Sequence, residues 1–267
     1  MKKQLPGEFT FIIAALLIAG IFVHSIYVLH VRPVAEMTLK LDRERMAEDP
    51  EYVSERSIYV VIKDYEQQAT ITLMLWALAI MAYKAMHQRR EAEALEAELL
   101  RLPEGVKILP EDTREYMRQV ESLPLHTRAL LVPRALLGAL ARFGATRNVQ
   151  DASTVAHGIC QSEAERLDSD LALLRYIAWA IPAIGFIGTV RGIGDALSQA
   201  HKAVTGDISG VTEGLGVAFN STLIALLLSI LLMFLMQQLQ QAQERRVLDT
   251  ETWLDQKVIR NLQARSG

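Results

Sequence analysis

A few polar side chains interrupt the apolar stretches of the C-terminal half of this chain, and they are where its chemistry must be sought. Asn220, Ser221 and Thr222 stand together in one stretch and Thr189 stands in another. A proton path through hydrocarbon needs a titratable group or a chain of polar groups. Hydroxyls and an amide supply donors and acceptors for such a chain without carrying charge. Ser and Thr in membrane helices also bond back to their own backbone carbonyls, so a packing role stays open for each. Arg191 and Asp195 are four apart, share one helix face and can pair. Two readings of that pair are open. One is an arginine snorkelling at the membrane rim with an acid beside it. The other is a charged ring at the mouth of a pore.

These residues need helices to hold them. "GFIGTVRGIGDAL", residues 185–197, carries a small-xxx-small pair, Gly188 and Gly192, extended by Ala196 and flanked by Gly185. Helices in lipid associate by close packing, so this face predicts a tight contact with another helix. Packing explains the glycines but not Thr189, Arg191 and Asp195. The chain as a whole is 51% hydrophobic and 22% charged, a combination that requires charge to be segregated from apolar spans. Four stretches are long enough to cross a bilayer, at residues 9–31, 69–86, 171–199 and 214–237. Lys2 and Lys3 before the first resemble a signal peptide, but bulky His24, Tyr27 and His30 stand where a cleavage site would be, which predicts an uncleaved anchor.

Basic flanks set the orientation. Lys2 and Lys3, then Lys84, Arg89 and Arg90, then Arg245 and Arg246 all point to the cytoplasm. Both termini are expected inside: residues 1–8 as a cytoplasmic N-terminus and 238–267 as a cytoplasmic C-terminal helix. Residues 32–68 are expected as a periplasmic segment, 87–170 as a cytoplasmic helical domain and 200–213 as a short periplasmic turn. The fold class is thus an all-α integral membrane protein, with four transmembrane helices and long cytoplasmic helical extensions. Counted inward from that turn at ~1.5 Å per residue, Thr189 and Thr222 both lie ~10–12 Å deep. Two hydroxyls at one level on antiparallel helices can face one carboxylate.

Residues 91–101 have high helix propensity and are expected to continue the second span, with Pro103, Gly105 and Pro110 breaking it. Asp112 is placed to cap the next helix, with Glu115 three residues on. Two short helices follow, the second with Pro133 near its start and Gly144 past its end. Ser153 or Thr154 is expected to start the helix that runs unbroken towards Pro182.

Other classes are excluded. A net charge of −3 and no basic patch argue against nucleic acid. The single cysteine, Cys160, allows no internal disulfide and reads as an inert buried thiol. There is no phosphate loop, HExxH or GxSxG, and the six histidines have no ligand spacing, so no catalytic residue, metal or cofactor is expected. His24 is either a proton relay or a residue facing a neighbouring helix or the outer surface. No carboxylate is expected at mid-membrane.

"IPAIGFIGTVRGIGDAL" followed by "EGLGVAFNSTLIALLLS" resembles the MotA, TolQ and ExbB proton-channel family. Pro182, Gly185, Gly188, Thr189, Gly192 and Ile193 match the first motif of that family, and Gly214, Ala218 and Thr222 match the second. Arg191 departs from it, standing where the family more often has an aromatic or apolar residue. Four spans resemble the MotA layout. The resemblance implies an ion-driven motor subunit of the bacterial inner membrane. It also implies a homopentamer around a dimer of a single-span partner of the ExbD, TolR or MotB type, whose essential aspartate carries the proton. The transported ion, H⁺ or Na⁺, then takes the place of a cofactor, and membrane lipids are the remaining partners. The competing reading, from another class, is a passive membrane scaffold that recruits partners through its cytoplasmic helices.

Overall fold

The structure, a computed structural model, describes residues 5–49, 52, 57–96 and 107–264. The helices in chain order are α1 (Leu5–Ile26), α2 (Arg32–Glu48), α3 (Ile58–Ile62), α4 (Tyr65–Glu96), α5 (Thr113–Glu121) and α6 (Leu125–Arg128). They continue with α7 (Leu131–Thr146), α8 (Val149–Asp170), α9 (Ala172–Ser198), α10 (Ala200–Val204) and α11 (Ser209–Lys257). Among the described residues the only extended pairing is an isolated parallel bridge between Ile108 and Leu262. Among the described residues four helical stretches are long and apolar enough to cross a membrane, so the chain is a multi-pass membrane protein. It divides into two units: Met1–Ala82 with Leu173–Met236, and Tyr83–Ala172 with Gln237–Gly267.

In the first unit the helical stretch that opens with α1 does not stop at residue 31. A widened π-helical turn, Tyr27–Val31, carries it directly into α2. Val23, Tyr27, Val31 and Ala35 are all buried at a spacing of four. An ideal helix, at 3.6 residues per turn, would rotate that stripe steadily off its partner. The wider turn takes up the drift and keeps Tyr27 and Val31 on one face. That face packs on Ile62, Ile71 and Leu75. The indole of Trp76 on α4 donates to the carbonyl of Ile12 on α1 at 2.9 Å, satisfying its one donor within an apolar layer. The helix α4 begins at Tyr65, four residues ahead of the expected span.

The pair α9 and α11 forms the heart of this unit. The turn between them is not featureless, since it contains α10, and α11 starts at Ser209 rather than 214. Pro182 lies inside α9. It has no N–H, so the carbonyl of Ala178 loses its helical donor. The hydroxyl of Ser229, on α11 and buried, donates to that carbonyl at 3.2 Å.

The second unit has a core of Ile108, Val120, Leu136, Leu140, Phe143, Ala152, Cys160, Leu254 and Val258. Cys160 is 1% exposed. Several expected caps are corrected here. Asp112 precedes α5, but its carboxylate accepts from Leu109 N at 3.2 Å and makes no cap bond. Gly144 lies within α7, whose end is set by Arg147 in the left-handed region at φ 53. Neither Ser153 nor Thr154 starts α8: Asn148 does, its side chain accepting from Gln150 N at 2.8 Å. The run towards Pro182 is interrupted by one turn at Leu171. The expected break at Pro103 and Gly105 lies outside the described residues. In place of a cap from its own segment, the first turn of α7 receives Glu91, whose carboxylate accepts from Leu131 N at 2.9 Å. Burial pushes that carboxyl above the usual glutamate range, against the pull of the Leu131 N–H.

Candidate functional site

The site is built on a close approach of α9 to α11. A Cβ at Gly192 would lie 2.5 Å from Ala218 N and 2.6 Å from Gly214 O. One at Gly214 would lie 2.6 Å from Ala196 N. One at Gly185 would collide with Ala225, and one at Gly188 would sit 2.5 Å from the Cβ of Ser221. So α9 presents Gly185, Gly188, Gly192 and Ala196, and α11 presents Gly214, Ala218, Ser221 and Ala225. Backbone meets backbone, which only residues without bulk permit.

This approach brings the hydroxyls of Thr189 and Thr222 into direct contact. Each also reaches two backbone carbonyls. Thr189 lies 3.3 Å from Gly185 O and 3.2 Å from Ala218 O. Thr222 lies 3.3 Å from each of the same two oxygens. Gly185 O is the i−4 carbonyl of Thr189 and Ala218 O that of Thr222, so back-bonding and pairing coexist. Two hydroxyls hold two protons, and the acceptor sites around them exceed that number. One hydroxyl can donate to the other while the second donates to a carbonyl, and the direction can reverse with no change of packing.

Ser221 and Asn220 part from this pair. Ser221 is one residue, about 100°, from Thr222 on the helix, and Asn220 is about 200° away, on the far side. Ser221 is buried, donates to Val217 O at 2.8 Å and accepts from Gln67 Nε2 at 3.4 Å. Gln67 is fully buried, and its Oε1 has no hydrogen-bond partner among the described residues. The layer beside the threonines is therefore polar on its α4 side as well.

That side holds a residue absent from the sequence-derived candidates. Glu66 is buried in the first turn of α4, and its Cγ lies 3.0 Å from where a Cβ of Gly188 would be. A carboxylic side chain thus enters the interior of the first unit at the level of Gly188 and Thr189. Glu66 takes Arg191 bidentately: Nε to Oε1 at 2.7 Å and Nη2 to Oε2 at 2.8 Å. Arg191 also lies 3.6 Å from Asp195 through Nη1. The i,i+4 pair expected from spacing exists, but it is the looser of two contacts. Glu66 was hidden because it stands with Gln67 and Gln68 ahead of the apolar run of α4 and reads as part of the polar loop. Just before it, Asp64 is half-buried, and its carboxyl is pushed up by burial against the pull of Lys63.

Further along α4, Gln68 bridges two helices. Its Oε1 accepts from Arg32 at 2.7 Å and its Nε2 lies 3.1 Å from His24 Nδ1. The bridge makes Nδ1 of His24 the acceptor and leaves the proton on Nε2. His24 faces a neighbouring helix, as one of its readings had it. The Arg32 guanidinium covers the ring of Tyr65 at 4.3 Å. Among the described residues no cluster of three His, Cys, Asp or Glu could hold a metal.

Comparison of the whole chain with curated proteins and with solved structures gave no match. Residues 152–252, which run from α8 through α9 and most of α11, match the model of the MotA/TolQ/ExbB proton channel family, the family that the motifs of the third and fourth spans resemble.

Proposed function

We propose that this chain is the channel subunit of a membrane motor driven by the proton-motive force. In this reading five copies form a ring in the bacterial inner membrane, with both termini in the cytoplasm. The ring surrounds two copies of a single-span partner whose membrane aspartate carries the proton. Thr189 and Thr222 face that aspartate and hand the proton to and from it. Rotation of ring against partner then performs mechanical work on the partner's attachment. The reading is supported above all by the reversible hydroxyl contact of Thr189 with Thr222, inside the residues that match the proton channel family. Arg191 and Asp195 lie towards the end of α9 that leads into α10, where the reading places the mouth of the path.

The test is a subunit count. The tagged full chain is purified from its own membrane in mild detergent, and the intact assembly is weighed. The expected mass is that of five chains of 29.8 kDa plus two copies of one smaller single-span protein. A chain that purifies alone, as a monomer or dimer, and still conducts protons would contradict the proposal.

A further inference from the structure

Glu66 lies outside the residues that match the family, Arg191 and Asp195 are not among the residues that carry its motifs, and the cluster of the three is unused by the threonine pair. Its geometry is unequal. Glu66 holds Arg191 with two short bonds and its side chain is 10% exposed, whereas Asp195 stands at 3.6 Å and is 62% exposed. Arg191, at 40%, lies between them and can reach both. We propose that Glu66 is a proton-binding residue of the ion path, and that Arg191 changes partner from Glu66 to Asp195 each time Glu66 takes up a proton. The inference rests on the channel reading above.

The physical case is one of charge balance. A buried carboxylate is tolerated only when paired, and removing its partner leaves a costly bare charge. With Glu66 ionised, Arg191 pairs with it and Asp195 is left to solvent. With Glu66 protonated, its burial costs little, and Arg191 keeps a counter-charge by moving to Asp195 on its own helix. Neither state strands a buried charge, so the proton can come and go without a large barrier from the protein. The step is a plain proton transfer: a hydronium ion gives H⁺ to a carboxylate oxygen of Glu66 and leaves as water, and Arg191 stays charged throughout. Release runs the same way in reverse, to the next acceptor on the path.

The surroundings fit this use. Gly188 is what lets Glu66 in, since Glu66 Cγ lies 3.0 Å and Ser221 Oγ 2.6 Å from the point its Cβ would occupy. The same glycine precedes Thr189, so the carboxylic side chain and the hydroxyl pair share one depth. The charged groups that act on Asp64, two residues before Glu66, are Lys63 beside it, Glu66, Arg191 and Glu213 from α11. Arg43 and Arg32 stand on α2. Lys63 and Arg43 are both held by Glu213, at 3.4 and 3.5 Å, and Arg32 by Gln68. Among the described residues none of these cations makes an ion pair with Glu66, and Arg191 is its partner.

The test is proton flux into vesicles that contain the assembled full-length complex, at matched levels and across acid to neutral pH. Glu66→Gln keeps the shape and is expected to lower flux by about tenfold or more, as loss of a positioned acid–base group does. Glu66→Asp is expected to conduct with a displaced pH profile. Asp195→Asn removes the second partner, so Arg191 favours ionised Glu66 more strongly and the flux midpoint moves to more acidic pH. A purely structural ion pair predicts no such move. The inference is overturned if Glu66→Gln conducts within about twofold of the unaltered complex with the same pH profile. It is equally overturned if Asp195→Asn leaves the profile in place. Should both Glu66 variants fail to assemble, the Asp195→Asn profile alone decides. Failure of the channel reading looks different: the unaltered complex itself passes no protons.

Discussion

The hydroxyl of Ser229 donates to the carbonyl of Ala178, the very oxygen that Pro182 deprives of a helical N–H. A sequence break in α9 is thus repaired from α11, in a layer where no water can do so. Ser229→Ala should leave that carbonyl unpaired and destabilise the folded chain by about 1–3 kcal/mol. Pro182→Ala restores the donor, so Ser229→Ala made in a Pro182→Ala chain should cost much less. Thermal unfolding of the four detergent-solubilised proteins measures the coupling, and equal losses in both backgrounds would refute the repair.

The glycine face gives a paired prediction. A Cβ at Gly192 meets Ala218 and Gly214 backbone, while one at Gly194, two residues on, meets nothing within 4 Å. Gly192→Val should separate α9 from α11 and lower the melting temperature by several degrees, an effect of about 2 kcal/mol or more for overpacking. Gly194→Ala should leave it unchanged or slightly higher, because alanine is the better helix former. Similar losses at both positions would mean that the close approach does not hold the pair.

Glu91 predicts a pH effect in the second unit. Its carboxyl is held above the usual glutamate value by burial. The folded chain therefore keeps this proton over a range in which the unfolded chain has released it. The stability this supplies is full below the ordinary glutamate value of 4.5 and is lost as pH rises through the raised one. Glu91→Gln cannot ionise and should flatten that part of the stability profile, while still accepting from Leu131 N through its amide oxygen. Unfolding temperatures of both proteins from pH 4.5 upward test the sign. A profile with the same slope in both would contradict it.

Topology is tested by labelling in intact cells. Val204 on α10 and Leu125 on α6 are both strongly exposed. In a Cys160→Ala chain, Val204→Cys should react with an impermeant reagent added outside, and Leu125→Cys only after the membrane is opened. The reverse pattern would invert the proposed orientation.

Much of this was legible from residue types. Apolar length gave the four membrane stretches, and the spacing of Gly185, Gly188 and Gly192 gave the packed face. Antiparallel counting put Thr189 and Thr222 at one level. What stayed hidden depended on three-dimensional partners. Glu66 stands at the edge of an apolar run, and only its neighbour Gly188 on a distant helix reveals it as buried. Ser229 is one of several hydroxyls in α11, and only the missing proline donor gives it a task. Asn148 caps α8 because Arg147 adopts the left-handed turn before it, which no nearby glycine announces. Asn220 was grouped with Thr222 by proximity in sequence, although two residues on a helix point to opposite sides.

The claim that matters most is that the hydroxyls of Thr189 and Thr222 serve the ion and not only the packing. Valine keeps the shape of threonine and loses the hydroxyl. The deciding measurement is proton flux, or the driven mechanical function, at equal amounts of assembled complex. Thr222→Val should assemble normally and abolish flux, and Thr189→Val should assemble and lower it less severely. If both valine variants conduct at near-normal rates, the two hydroxyls are packing elements and the account of the site is wrong.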